Sequence, residues 1–221
     1  MNKKNVLITG ASRGIGKAIK ECLEKHDCYK VIAPTRAEMN LDDTSSIEKY
    51  FANKPNIDIL INNAGINILK SIEAIDSSSL EAMLAVNLKS PLTLIKEVVP
   101  NMKKNKYGRI INISSIWGIT SKESRTLYSM TKFGLNGITK SLSKELGADN
   151  ILINSVCPGY VNTELTKQNV SEEDQLKIKK TIPLGRFAEP NEIAEFVEFL
   201  ISDRNQYITG QALLIDGGFL A

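Results

Sequence analysis

Short apolar runs alternate with amphipathic stretches from one end of the chain to the other. Val6-Leu7-Ile8 is an apolar run that stops at Thr9-Gly10, and the letters after the next glycines, KAIKECLEKH, repeat apolar positions at helical spacing. Val31-Ile32-Ala33 is a second buried run, halted by Pro34, and residues 37–43 are polar. Residues 46–52 predict one or two helical turns, and residues 57–61 predict a third strand ending at Asn62-Asn63-Ala64-Gly65. Residues 77–104 place Leu80, Leu84, Leu88, Leu92, Ile95 and Val99 at helical spacing, with Pro91 expected to kink or divide the helix. Strand 109–113 and helix 126–146 follow, then strand 151–156, broken by Cys157-Pro158-Gly159. The polar stretch 162–180 predicts a mobile helical flap, 191–201 a capped helix, and 212–215 a last strand.

Strand and helix alternate throughout, which predicts an α/β fold: a doubly wound parallel sheet with helices on both faces. With no repeat, linker or low-complexity stretch, residues 1–221 are expected to form a single domain. In such a sheet ligands bind outside the carboxyl ends of the strands. Gly10, Asn63, the pair Ser114-Ser115 and Pro158-Gly159 all fall at strand ends, so topology brings them together.

Composition narrows the partners. Of 221 residues, 42% are hydrophobic and 24% charged, enough for a core that needs no staple. A net charge of +3, with both signs interspersed, argues against nucleic acid and anionic membranes as partners. Cys22, Cys28 and Cys157 lack metal spacing and His26 is the only histidine, so no metal site is expected. The three thiols are expected to be reduced and mostly buried, which suits the cytoplasm. The opening letters MNKKNVLITG run straight into a strand with no signal-peptide apolar region, and no run reaches the length of a membrane span.

Two patterns carry chemistry. Residues four apart on a helix share a face, so Tyr128-x-x-x-Lys132 can aim both side chains at one site, where a strand-end serine can meet them. On its own that spacing far more often marks a surface tyrosine and a solvated lysine. The first turn, TGASRGIG at 9–16, follows a buried strand and opens a helix. Its glycines permit positive φ and let a pyrophosphate approach the backbone and the helix N-terminus. At the end of the second strand an acid would accept from an adenosine ribose, whereas a base would bind a 2′-phosphate. Arg36 stands there and Arg13 lies in the first turn, a pair suited to phosphate, which favours NADP(H). Glu38 nearby keeps NAD(H) open.

Taken together, TGASRGIG, NNAG at 62–65, Asn87, Ser115, Tyr128-x-x-x-Lys132, Pro158-Gly159 and the C-terminal PLGRFAEPNEIA…YITGQALLIDGG resemble the short-chain dehydrogenase/reductase family. The resemblance spans the whole chain and looks nearest to the 3-oxoacyl-[acyl-carrier-protein] reductases. It implies a Rossmann fold and the reduction of a ketone, 3-oxoacyl or similar, to a secondary alcohol by hydride transfer. Tyr128 would protonate the carbonyl oxygen, and Lys132 would hold the nicotinamide ribose and lower the tyrosine pKa. Ser115, rather than Ser114, would bind the substrate oxygen, and Asn87 would fix a water that links Lys132 to solvent. Cofactor contacts would come from Gly10, Ser12, Arg13, Gly14, Ile15, Gly16, Arg36, Asn40, Leu41, Asn63, Ala64, Gly65, Tyr128, Lys132, Pro158, Gly159, Val161 and Thr163. Of these, Val161 and Thr163 would meet the carboxamide. A homotetramer or homodimer built on the helix from residue 126 is implied too.

There are departures from the family pattern. The segment between the second and third strands is short, and Asn40 stands where an aspartate is usual. Lys103, Lys104, Lys106 and Arg109 form a basic cluster of the kind that carrier-dependent reductases show, but Asp149 would repel an acidic carrier, so a thioester-linked substrate stays open. Trp117 and Tyr160 are expected to be exposed at the site rim, beside Ile66, Asn67 and Ile119. The alternatives are an NAD(H)-linked sugar or alcohol dehydrogenase of the same family and a non-catalytic dinucleotide sensor.

Overall fold

A computed structural model describes residues 3–52 and 56–221; Met1 and Asn2 of the opening run lie outside the described residues. The strands are β1 (Lys4–Ile8), β2 (Tyr29–Ile32), β3 (Ile59–Asn62), β4 (Gly108–Ile113), β5 (Ile151–Pro158) and β6 (Ala212–Ile215). All neighbours pair in parallel, in the order β2-β1-β3-β4-β5-β6. The order reverses beside β1, and in a doubly wound sheet the crevice opens at that point.

The helices are α1 (Gly14–Leu23), α2 (Thr44–Phe51), α3 (Ser77–Leu84), α4 (Ser90–Asn105), α5 (Thr126–Leu146), α6 (Glu164–Asn169), α7 (Glu172–Thr181) and α8 (Pro190–Ile201). Alternation along each strand divides the core in two. Val6, Ile8, Ile59, Ile61, Ile111 and Val156 face α1 and α8, where they meet Ile19, Leu23, Ile193 and Val197. Leu7, Leu60, Ile110 and Ile153 face the other way, toward Ile47, Leu94, Val98 and Met102. Each such side chain removed from water contributes roughly 1.5–3 kcal/mol, so the two layers clamp the sheet that carries the strand ends.

Three expectations need correction. The 77–104 helix is divided by a π-helical turn at Ala85–Lys89, directly ahead of Pro91 in the first turn of α4, and its buried face differs from the expected one. The wider turn shifts the phase, so Leu94, Ile95, Val98 and Met102 are buried while Leu92 is 48% exposed. Strand β5 runs on through Cys157 and Pro158, which pair with Leu214 and Ile215 of β6. Of the cysteines, Cys157 is buried but Cys28 is exposed.

Candidate active site

One cleft of about 790 Å³ opens at the carboxyl ends of the strands. Every residue assigned above to cofactor contact lines it, as do Ser115 and Ser114.

Its first wall is the β1–α1 turn. Gly10 and Gly14 adopt φ of +67° and +55°, which glycine alone enters without strain. Asn63 lies beneath: its amide donates to the carbonyls of Thr9 and Gly10 at 2.9 and 3.0 Å. The Thr9 hydroxyl in turn accepts the backbone N–H groups of Asn63 and Ala64, each at 3.1 Å. A Cβ on Gly16 would overlap the Asn63 amide and the Gly10 carbonyl. Helix α1 has no side-chain N-cap and no acid in its first turn, so its leading N–H groups remain available to an anion. A backbone cradle closed by glycine, with uncapped donors above it, fits the pyrophosphate of a dinucleotide.

At the end of β2 the geometry is less simple than the letters. Arg36 forms an ion pair with Asp42, and both line the cleft. The Glu38 carboxylate accepts from the Thr35 N–H and hydroxyl at 2.8 and 3.0 Å, closing its own turn. Arg13 is exposed and also lines the cleft. Asp42 is the residue that the sequence reading missed there; it stands six positions beyond Arg36 in a polar loop.

The other end holds the reactive groups. Ser114 and Ser115 follow β4 and point apart. The Ser114 hydroxyl donates to the Lys132 carbonyl at 3.3 Å, while the Ser115 hydroxyl accepts the Trp117 N–H at 3.2 Å and lies on the Tyr128 side. Burial pushes the Tyr128 phenol up to about 12; the Arg125 guanidinium and then the Ser115 hydroxyl pull against that rise. Lys132 is 3% exposed, and its ammonium donates to the Ile113 carbonyl at 2.7 Å. Burial brings the ammonium down to about 8. Its nitrogen sits 5.5 Å from the Tyr128 ring centroid. Arg125 thus joins Lys132 as a cation beside Tyr128, with Lys132 anchored on the strand end. Arg125 was missed; it stands at the N-cap of α5, three positions before Tyr128.

Asn87 stands behind the cleft rather than on its wall. It lies in the π-helical turn, where its amide accepts from Ile66 N–H at 2.9 Å and donates to Ile66 O at 2.8 Å and to the Thr131 hydroxyl at 3.2 Å. Gly65 separates it from Lys132: a Cβ there would come to 3.4 Å from Asn87 Oδ1 and 3.7 Å from Lys132 Nζ.

The rim is more closed than expected. Trp117 and Tyr160 are 7% and 9% exposed and meet edge-to-face at 6.3 Å. Tyr160 also stacks on Phe187 at 5.3 Å. Val170 and Ile178, from the polar stretch expected to form a flap, pack against this cluster and provide the cover. Both rings still line the cleft, or border it through the same cluster, with Ile66 and Asn67. Ile119 is 40% exposed.

The basic cluster dissolves. Lys106 pairs with Asp149, Lys103 approaches the same carboxylate at 4.0 Å, and Arg109 is buried, donating to the carbonyls of Gly108 and Asn150 at 2.9 and 3.2 Å. These residues lie at the amino end of β4, opposite the cleft.

The family described as "Enoyl-(Acyl carrier protein) reductase" matches residues 5–220. The 3-oxoacyl-[acyl-carrier-protein] reductase FabG of Aquifex aeolicus is 40% identical over 237 residues, covering 96% of this chain and 95% of its own. A structure described as "4-hydroxyisoleucine dehydrogenase mutant complexed with NADH and succinate" superposes with a TM-score of 0.91 at 32% identity, covering 98% of both chains. A short chain dehydrogenase family protein from Francisella tularensis subsp. tularensis SCHU S4 gives 0.90 at 32% identity, covering 99% of both.

Proposed function

Because the chain belongs to the short-chain dehydrogenase/reductase family, whose members are oxidoreductases, we propose that it reduces a ketone to a secondary alcohol with NADP(H), using Tyr128 as the acid. The observation that carries this reading is the convergence of Tyr128, Ser115 and Lys132 on one cleft that also holds the glycine cradle. The dinucleotide, when bound, supplies the hydride. The chain's own groups do the rest. Ser115 holds the carbonyl oxygen, and the Tyr128 phenol, kept protonated at neutral pH by burial, delivers the proton as negative charge develops on that oxygen. Lys132, anchored on the Ile113 carbonyl, would hold the nicotinamide ribose, and Asn87 fixes the Ile66 backbone.

Arg13 and Arg36 in the adenosine end support NADP(H) over NAD(H), with Asp42 tempering the charge of Arg36. A 3-oxoacyl group is the substrate class that the FabG relatives' names carry. Leu92, Met130 and Phe133 on α4 and α5 are each 42–48% exposed, an apolar face that supports a homodimer or homotetramer through α5. No described helix is long and apolar enough to cross a membrane, and we place the enzyme in the cytoplasm on the strength of its free thiols. The test is consumption of NADPH with a panel of ketones and 3-oxoacyl thioesters. Formation of the matching alcohol supports the reading; tight NADPH binding with no turnover on any member would favour a sensor.

A further inference from the structure

Beyond its charge opposing the rise of the Tyr128 pKa, Arg125 has no substrate or cofactor contact in the chemistry above. It is 5% exposed, it lines the cleft beside Tyr128, and it precedes the first turn of α5. Among the described residues no carboxylate pairs with it, its Nε has no hydrogen-bond partner, and its guanidinium lies 5.2 Å from the Trp117 ring centroid. Burial lowers its pKa from the ordinary arginine range, and only the tyrosine hydroxyls of Tyr160 and Tyr128 act against that.

A guanidinium buried against a ring without a counter-charge carries an uncompensated desolvation penalty, and such groups persist where something pairs with them. The anion is not on the protein. The two carboxylates that line the cleft, Asp42 and Glu164, sit at the dinucleotide end, one paired with Arg36 and the other beside Gly14. It is not the cofactor's pyrophosphate either, because that group belongs at the uncapped start of α1. Lys132, the other cation at the reactive end, is held by the Ile113 carbonyl. What remains is the substrate.

We infer that Arg125 is a specificity-determining residue that binds a carboxylate on the substrate, so that the ketone reduced here is an oxo acid. This rests on the carbonyl-reduction reading and narrows it. The planar fork of arginine, lying against an indole, matches a planar carboxylate with two parallel hydrogen bonds. Arg125 and Tyr128 line the same end of the cleft, and their charges act on each other, so a carboxylate on the guanidinium lies close to the carbonyl that Tyr128 serves. A neutral thioester or ester in that place leaves the guanidinium unpaired.

The only tryptophan, Trp117, lies against the guanidinium and reports binding without turnover. With NADPH present, 3-hydroxy acids of four to eight carbons and their methyl esters are titrated against Trp117 fluorescence as unreactive pairs. NADPH oxidation is then followed with the corresponding 3-oxo acids and esters. In the wild type at least one acid is expected to bind tenfold or more tightly than its ester, with the same bias in kcat/KM. In Arg125→Gln the bias falls to near one, and Arg125→Lys retains part of it. If every acid and ester bind alike in the wild type, the inference is overturned. An Arg125→Gln variant that weakens acid and ester equally, with a displaced pH profile, would overturn it as well and make Arg125 a tuner of Tyr128. A persistent binding bias in a protein that reduces no ketone would leave the carboxylate site standing and remove the reductase reading.

Discussion

The Asn63 amide reaches across from the end of β3 to bond the carbonyls of Thr9 and Gly10, and in doing so occupies the space that a side chain on Gly16 would need. Dinucleotide binding and the packing of β1 against β3 therefore depend on the same few atoms. Gly16→Ala is expected to displace Asn63, cost about 1–3 kcal/mol as overpacked cores do, and weaken NADPH binding at least tenfold. Denaturant unfolding and cofactor titration measure the two effects, and unchanged affinity would contradict the cradle.

The Asp42 carboxylate pairs with the Arg36 guanidinium, so a 2′-phosphate would compete with Asp42 for it. Asp42→Asn is expected to raise NADPH affinity several-fold while leaving NADH nearly unchanged, and Arg36→Ala to lower NADPH affinity toward that of NADH. Dissociation constants of both cofactors for the three proteins decide the matter. A wild type without preference for NADPH refutes the cofactor assignment.

Lys132 imposes a cost that pH should reveal. Its folded pKa, about 8, lies below its ordinary value of 10.5, so between those values the unfolded chain binds more protons than the folded one. Stability then rises as pH climbs from about 8 toward 10.5, and the full penalty applies below pH 8. Lys132→Met is expected to stabilise the cofactor-free protein by roughly 2 kcal/mol at pH 7, after allowance for the freed Ile113 carbonyl, and to lose that advantage near pH 10.5. Thermal melts at both pH values test the sign.

Phe133 is 48% exposed on α5, one turn from the exposed Met130. Phe133→Glu is expected to lower the oligomeric state in sedimentation without unfolding the protomer. A wild type that sediments as a monomer at micromolar concentration would refute the assembly.

The sheet and its strand ends were legible because period and punctuation agree: α5 and β6 begin and end where the letters predict. The glycines of the first turn were readable for the same reason, whereas Ser115, Tyr128 and Lys132 were picked out by the family resemblance; all of them line the cleft. The π-helical turn was not, since a hydrogen-bond ring one residue wider leaves no distinct letter, yet it moved Leu92 from the expected core face to the surface. Burial of Trp117 depends on Val170 and Ile178, some fifty residues on, and that of Arg109 in part on the Asn205 carbonyl region. Arg125 was hidden among polar letters, S-K-E-S-R-T, which read as a solvated loop. Long-range packing decided each of these cases, and no local pattern carries it.

The central claim is that Tyr128 is the proton donor in a ketone reduction. Its most direct measure is kcat for Tyr128→Phe beside wild type on an active ketone, with NADPH affinity measured on both. Removal of the hydroxyl alone is expected to cut kcat by at least about a thousandfold, within the span of general acid catalysis and its oxyanion contact together, while NADPH binds within a few-fold of wild type. A Tyr128→Phe enzyme that keeps a tenth or more of wild-type kcat would contradict the account.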